Sequence, residues 1–335
     1  MKRAWITFWT TLILVLPIRI YAVLRYLDPE TGFYSDSNRM VGIASLLLFV
    51  GIIVTAYFAS RNAVSEIGTE PLKNVTTAVL GAFAGVFVIV QSIVGLGTEF
   101  LEVGQIFYKI FSVTGILAGA VLMLIAYDFA TGSRIVGNRP FLALVPSVWG
   151  CFFLVILFIT YSAIVNLPEN VYHTFTVVFL LLFLFTQAKL LTGIESTKSG
   201  KMIYMVGFPA ALLALMTGVP SCIQFFSAGK TAGIVSIGMH MANIILAFYI
   251  LAFLYALQSV FPTEKGKAPD ESAPSHDIHL QKEAAENAES NVNEEENLIA
   301  EYAGFLSEVC GSGRTFSAIR PSPFYSKEGS TAGRG

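Results

Sequence analysis

Charge is scarce in this chain, and the residues that build catalytic centres are scarcer. Asp, Glu, Lys and Arg make up 13% of its 335 residues, where an ordinary soluble domain carries roughly 25%. Three cysteines are too few for a disulfide framework. Cys151 falls inside an apolar run and reads as a small packing residue. Cys222 follows another run, and Cys310 lies near the C-terminus; no two stand at metal-ligand spacing. Of the four histidines, His173, His240, His276 and His279, only His240 lies deep within a run. No His-Glu-x-x-His, Gly-x-Ser-x-Gly or phosphate-loop motif occurs. Nor is there an arginine-rich sensor helix or a carbonyl-filter motif. Motifs therefore assign no enzyme class, no cofactor and no metal. With 21 basic and 23 acidic residues, composition gives no argument for nucleic acid binding.

Apolar length is what the chain has in abundance. Hydrophobic residues reach 54% and gather into eight runs, at 5–27, 41–59, 75–94, 106–127, 141–165, 171–191, 202–219 and 234–257. A helix needs about 20 apolar residues to cross a hydrocarbon core of about 30 Å. The chain thus reads as an all-α, polytopic membrane helix bundle of eight transmembrane helices over residues 1–260. A polar, largely disordered cytosolic tail follows at 261–335. The N-terminal Met1-Lys2-Arg3 imitates a signal peptide, but the apolar stretch continues past Arg19 and Tyr21 with no small-x-small cleavage site, so it reads as a retained first span.

Lysine and arginine orient short loops. With the N-terminus inside, the cytoplasmic segments hold Lys2, Arg3, Arg61, Lys73, Arg134, Arg139, Lys189, Lys198, Lys201, Lys265 and Lys267, against Arg25, Arg39 and Lys230 outside. Both termini are expected in the cytoplasm, in a plasma (inner) membrane. The Asn74-Val75-Thr76 glycosylation triplet then lies inside and reads as chance.

Small residues four apart allow close helix contact. Thr77, Gly81 and Gly85, then Gly115 and Gly119, then Ala210, Ala214 and Gly218 form such stripes, which place helices three, four and seven inside the bundle. The sixth run is large and apolar over 177–185 and is expected to face lipid. Pro17, Pro146, Pro209 and Pro220 mark expected irregularities in the backbone.

Polar groups inside a membrane are expensive and mark functional sites. Arg19 is the one charge well inside a run. It either snorkels to the outer headgroups or serves inside the bundle. Ser236, His240 and Asn243 share one face of the eighth run at i, i+4 and i+7, and Gln91, Ser92, Tyr161, Ser162, His173 and Gln224 lie toward the same side of the membrane. The expected site is an outer-half polar cavity lined by Arg19, Gln91, His240 and Asn243 and rimmed by Glu99, Glu102 and Glu169. Interhelical hydrogen bonding without a ligand is the competing reading.

In the tail, 263–310 holds 3 basic and 12 acidic residues, while 311–335 holds 4 basic and 1 acidic. Near 293–310, Leu298, Ile299, Tyr302, Phe305 and Leu306 recur at helical spacing, which predicts a short amphipathic helix. Its acidic character favours docking to a cytosolic protein partner or to the basic inner loops over lipid.

Four short stretches carry a resemblance: Pro146-Ser147-Val148-Trp149, Tyr161-Ser162-Ala163-Ile164-Val165-Asn166, Glu169-Asn170-Val171-Tyr172 and Gln187-Ala188-Lys189-Leu190. Together they resemble a pattern in multi-span membrane proteins of gut clostridia. The resemblance implies a bacterial inner membrane and brings no activity with it. Two functions follow as expectations: binding or transport of a small solute or ion through the outer polar site, or a sensor or scaffold whose tail recruits a partner. An intramembrane enzyme ranks last.

Overall fold

A computed structural model describes residues 1–28, 33–34, 38–62, 73–98, 104–162, 168–194, 196–229 and 236–260. Glu99, Glu102 and the whole tail, with its expected helix, lie outside them. The chain divides into two units, Met1–Glu264 and Lys265–Gly335; every described residue belongs to the first.

Eight helices follow in order: α1 (Lys2–Tyr26), α2 (Asn38–Asn62), α3 (Val75–Gly97), α4 (Gln105–Thr131), α5 (Pro140–Ser162), α6 (Pro168–Thr192), α7 (Ser196–Ala228) and α8 (Ile237–Val260). Each is long and apolar enough to cross a bilayer. The protein is an all-helical, multi-pass membrane bundle. Among the described residues the only strand-like pairing is an isolated bridge between Leu27 and Tyr34.

Local chemistry sets the ends of these helices. Asn74 caps α3, its side-chain oxygen accepting from the Thr77 amide at 3.0 Å. Gly132 closes α4 with φ +77°, donating its amide to the Asp128 carbonyl at 2.8 Å. The Asp128 carboxylate then accepts from the amides of Ile135 and Val136, which folds the α4–α5 turn beneath it.

The helices α3, α4, α5, α6, α7 and α8 pack each on the next, and α8 returns to α3. The pair α1 and α2 packs against α7 from the other side. So α7 meets α1, α2, α6 and α8, and 83% of its apolar window is buried, against 33% for α3 and 22% for α2. Trp5 of α1 donates to Gln258 of α8 at 2.8 Å and sets its ring on Phe208 of α7, which joins the start of the bundle to its end. This N-terminal contact marks the proximal end of the bundle; the opposite end is the distal one.

Four expectations need correction. Helix α3 is peripheral. Its glycine face meets α4 so closely that a Cβ on Gly85 would stand 2.7 Å from the Gly119 carbonyl oxygen, and Thr77 and Gly81 meet α8, but the side carrying Val79, Phe83, Val86 and Val90 is exposed. Small residues mark one close contact, not burial all round. Helix α6 does not face lipid on most sides, since half of its apolar window is buried. Leu180, Phe183 and Leu184 are all buried, and Phe183 packs edge-on against Phe253 of α8. Large apolar side chains suit a neighbouring helix as well as they suit lipid. Finally, the helices run unbroken through Pro17, Pro146, Pro209 and Pro220; α7 reaches 33 residues although two prolines lie within it. Surrounding helices hold such backbone in place. Cys151 is exposed on α5, not packed, while Cys222 is buried.

Candidate functional site

The polar groups of the distal half form three neighbouring clusters. The first joins α1 to α6. Arg19 is 1% exposed, and its Nη2 pairs with the Glu169 carboxylate at 2.5 Å. Its Nη1 donates to the Tyr34 hydroxyl at 3.1 Å, and that hydroxyl donates to the other Glu169 oxygen. The Leu27–Tyr34 bridge brings Tyr34 back over the end of α1. Burial and the facing Glu169 charge push the Tyr34 phenol well above its ordinary range, so it remains a donor. The guanidinium lies 3.8 Å from the centroid of the Tyr172 ring, and the Tyr172 hydroxyl meets Ser45 of α2 at 2.5 Å. Of the two readings of Arg19, the structure supports the interior one.

The second cluster lies one turn deeper, between α6, α7 and α8. His173 Nε2 and His240 Nδ1 are 3.4 Å apart, with the rings edge to face at 4.9 Å between centroids. Both rings are buried. The remaining nitrogens, His173 Nδ1 and His240 Nε2, have no hydrogen-bond partner among the described residues, and neither do the two amide atoms of buried Asn243. Thr176 of α6 faces Thr217 of α7 at 3.4 Å. Gly218 lets α7 approach this point: a Cβ there would stand 2.9 Å from the His240 carbonyl oxygen. Below come Leu180, Phe183, Leu246, Ile250 and Phe253, all buried and apolar. On the same stretch of α8 the buried Tyr249 hydroxyl accepts from Gln187.

The third cluster lines a cavity of about 200 Å³ among α3, α4, α5 and α8. Gln91, Ser92, Thr98, Tyr108, Ser112, Thr160 and Ser236 supply its polar atoms, and Phe111, Phe153 and Leu157 its apolar wall. Among the described residues that line it none is charged. Gln91 spans the mouth to Ser236 at 2.6 Å. The Ser112 hydroxyl and, behind the wall, the Trp149 indole nitrogen are buried without a partner. Buried polar atoms are satisfied in the great majority of cases, so the orphans at Ser112, the histidine pair and Asn243 mark candidate ligand contacts; Thr55 of α2 and Ser147 of α5, nearer the proximal end, are also without a partner among the described residues. A larger cavity, about 860 Å³ between α2, α6 and α7, is apolar apart from the Ser45–Tyr172 corner.

The four residues expected to line one site therefore belong to three clusters. Arg19 goes with Glu169, Gln91 with Ser236, and His240 with Asn243 and His173. Glu169 does not simply rim the opening; it neutralises Arg19. The α8 face carrying Ser236, His240 and Asn243 links the cavity to the histidine pair. Sequence reasoning missed the pairing of His173 with His240, although one signal was present: Glu169, His173 and Thr176 repeat on α6 the i, i+4, i+7 spacing seen on α8. For Tyr34, Ser45, Ser112 and Trp149 no such signal exists. Among the described residues no group of three or more His, Cys, Asp or Glu side chains could hold a metal ion. No family model matches the chain, and neither the curated proteins nor the solved structures contain a significant match to it.

Proposed function

We propose that this protein binds a small, uncharged polar solute in its distal cavity and moves it across the membrane. The observation that carries the reading is the cavity between α3, α4, α5 and α8, whose described lining is hydroxyl- and amide-rich and without charged side chains, and in which the Ser112 hydroxyl has no partner among the described residues. A site of fixed donors and acceptors beside an apolar wall selects neutral, hydrogen-bonding molecules, because an ion would be desolvated there without a counter-charge. Asn243, below Ser236 on the same helix face, offers the next amide along the path. The apolar layer from Leu180 to Phe253 closes the path toward the proximal end, as an alternating-access protein requires in one of its states.

The charge bias of the loops supports a cytoplasmic N-terminus and an outward-opening cavity. Lys109, in the first turns of α4, adds one basic residue to the distal side without reversing that bias. The test is a thermal-shift screen of the full-length protein in detergent against uncharged polyols and small amides. At least one compound raises the melting temperature of the wild type and fails to do so for Ser112→Val and Asn243→Ala, which keep their own melting transitions. A screen without any stabilising compound, or equal stabilisation of both variants, contradicts the reading.

A further inference from the structure

We infer that the His173–His240 pair is a proton-binding relay, and that the proton is the ion coupled to movement through the distal cavity. The coupling rests on the solute-site reading; the relay stands on the geometry of the pair alone.

The two inner nitrogens set the chemistry. At 3.4 Å, His173 Nε2 and His240 Nδ1 are at the long end of a hydrogen bond, and in a neutral pair one must carry the proton and the other accept it. Each neutral imidazole has one N–H and one bare nitrogen. Whichever ring donates inward, the pair therefore presents one N–H and one bare nitrogen on its outer sides. Those outer atoms are His173 Nδ1 and His240 Nε2, the two left without a partner. A proton arriving at the bare outer nitrogen makes that ring an imidazolium. Its inner proton then crosses to the facing nitrogen, and the second ring releases a proton from its outer side. Both rings end neutral with their tautomers exchanged, and one proton has moved from one side of the pair to the other. No oxidant, metal or further reactant is needed.

The surroundings give this relay a direction. Glu169 precedes His173 by one turn of α6 and is 20% exposed. It is a carboxylate at the distal mouth, one helical turn from the pair and within reach of solvent. On the far side, Asn243 presents a donor and an acceptor with no partner among the described residues, and beyond it buried Leu180, Phe183 and Leu246 precede the next hydroxyl, that of Tyr249, which Gln187 holds. The pair is thus connected to the distal side alone in this conformation. The ionisable groups on the surrounding elements are Glu169 with Arg19 and Tyr34, Tyr172 and, toward the proximal end, Lys189 of α6, Tyr161 of α5, Cys222 and, further in, Tyr204 and Lys201 of α7, and Tyr249 and Tyr255 of α8; α3 carries none between Val75 and Gly97. A buried network of this kind responds as a unit, so the two rings titrate together.

The experiment uses full-length protein in lipid, with ¹⁵N-labelled histidine and His276 and His279 replaced by Asn to leave two signals. Nitrogen chemical shifts report the tautomer and charge of each ring between about pH 3 and 8, a window that includes and extends below the range in which an ordinary imidazole titrates. The relay predicts that both rings change together on uptake of one proton, and that His173→Gln alters the tautomer of His240. Liposomes containing a trapped pH dye supply the second readout. Under an imposed pH gradient, with potential clamped, the compound that stabilises the protein accelerates proton entry; His173→Gln and His240→Gln each lose this acceleration while still binding the compound. Two rings that titrate independently, or that never change charge or tautomer, overturn the relay. Coupled titration with no solute-dependent proton entry overturns the coupling. A missing stabilising compound with coupled titration intact overturns the solute reading and, with it, the coupling, but leaves the relay in place.

Discussion

Arg19 and Glu169 stand 150 positions apart in sequence, and neither charge is tolerable alone where the fold puts it. A guanidinium at 1% exposure needs compensating partners, and here it has a carboxylate, a phenol and an aromatic face, while its Nε has no hydrogen-bond partner among the described residues. Removing one member of a buried pair typically costs about 3–5 kcal/mol, while replacing both members with apolar residues of similar size is often neutral or better. Glu169→Gln is therefore expected to lower the melting temperature of the detergent-solubilised protein sharply. Arg19→Met with Glu169→Met is expected to recover most of that loss. If the double variant is as unstable as the single one, the pair has a role other than neutralising a buried charge. The sequence placed Glu169 on the same side of the membrane as Arg19 but, among several acids there, as a rim residue and not as its partner. The geometry was not legible, because Tyr34 reaches Arg19 only through the backbone bridge to Leu27.

At the scale of helices, α3 and α4 approach so closely that an added side chain would have to displace main chain on both partners. A Cβ at Gly85 would meet the Gly119 oxygen at 2.7 Å, and one at Gly119 would meet the Gly85 oxygen at 2.6 Å. Gly42 on α2, by contrast, has nothing within 4 Å of the same position. Overpacking a close contact costs roughly 1–3 kcal/mol. Gly85→Val should thus destabilise the bundle by about that amount, and Gly42→Val should leave it nearly unchanged; melting curves of the two variants decide. The eight helices were readable because lipid imposes one dominant rule on length and hydropathy. The face each helix buries was only partly readable. The stripe of Gly81 and Gly85 located a contact, but α6 shows why an apolar helix gives no such signal: Phe183 is as apolar facing Phe253 as it would be facing an acyl chain. Periodicity of polar residues was the better guide, as the matching spacing on α6 and α8 shows.

For the whole molecule, the distribution of polar groups is asymmetric along the membrane normal. The Arg19 cluster, the histidine pair and the hydroxyl-lined cavity all lie in the half away from the N-terminal contact, above an apolar layer. The central claim is that this half opens to water from one side only. Cysteine accessibility measures this directly, in full-length protein whose native Cys151, Cys222 and Cys310 are replaced by Ser and which is reconstituted in sealed membranes. A membrane-impermeant thiol reagent should label Ser236→Cys and Ser112→Cys from the face opposite the two termini, and should leave Leu180→Cys unlabelled from either face. Labelling of Ser112→Cys from the face of the termini, or no labelling of it from either face, would contradict the claim.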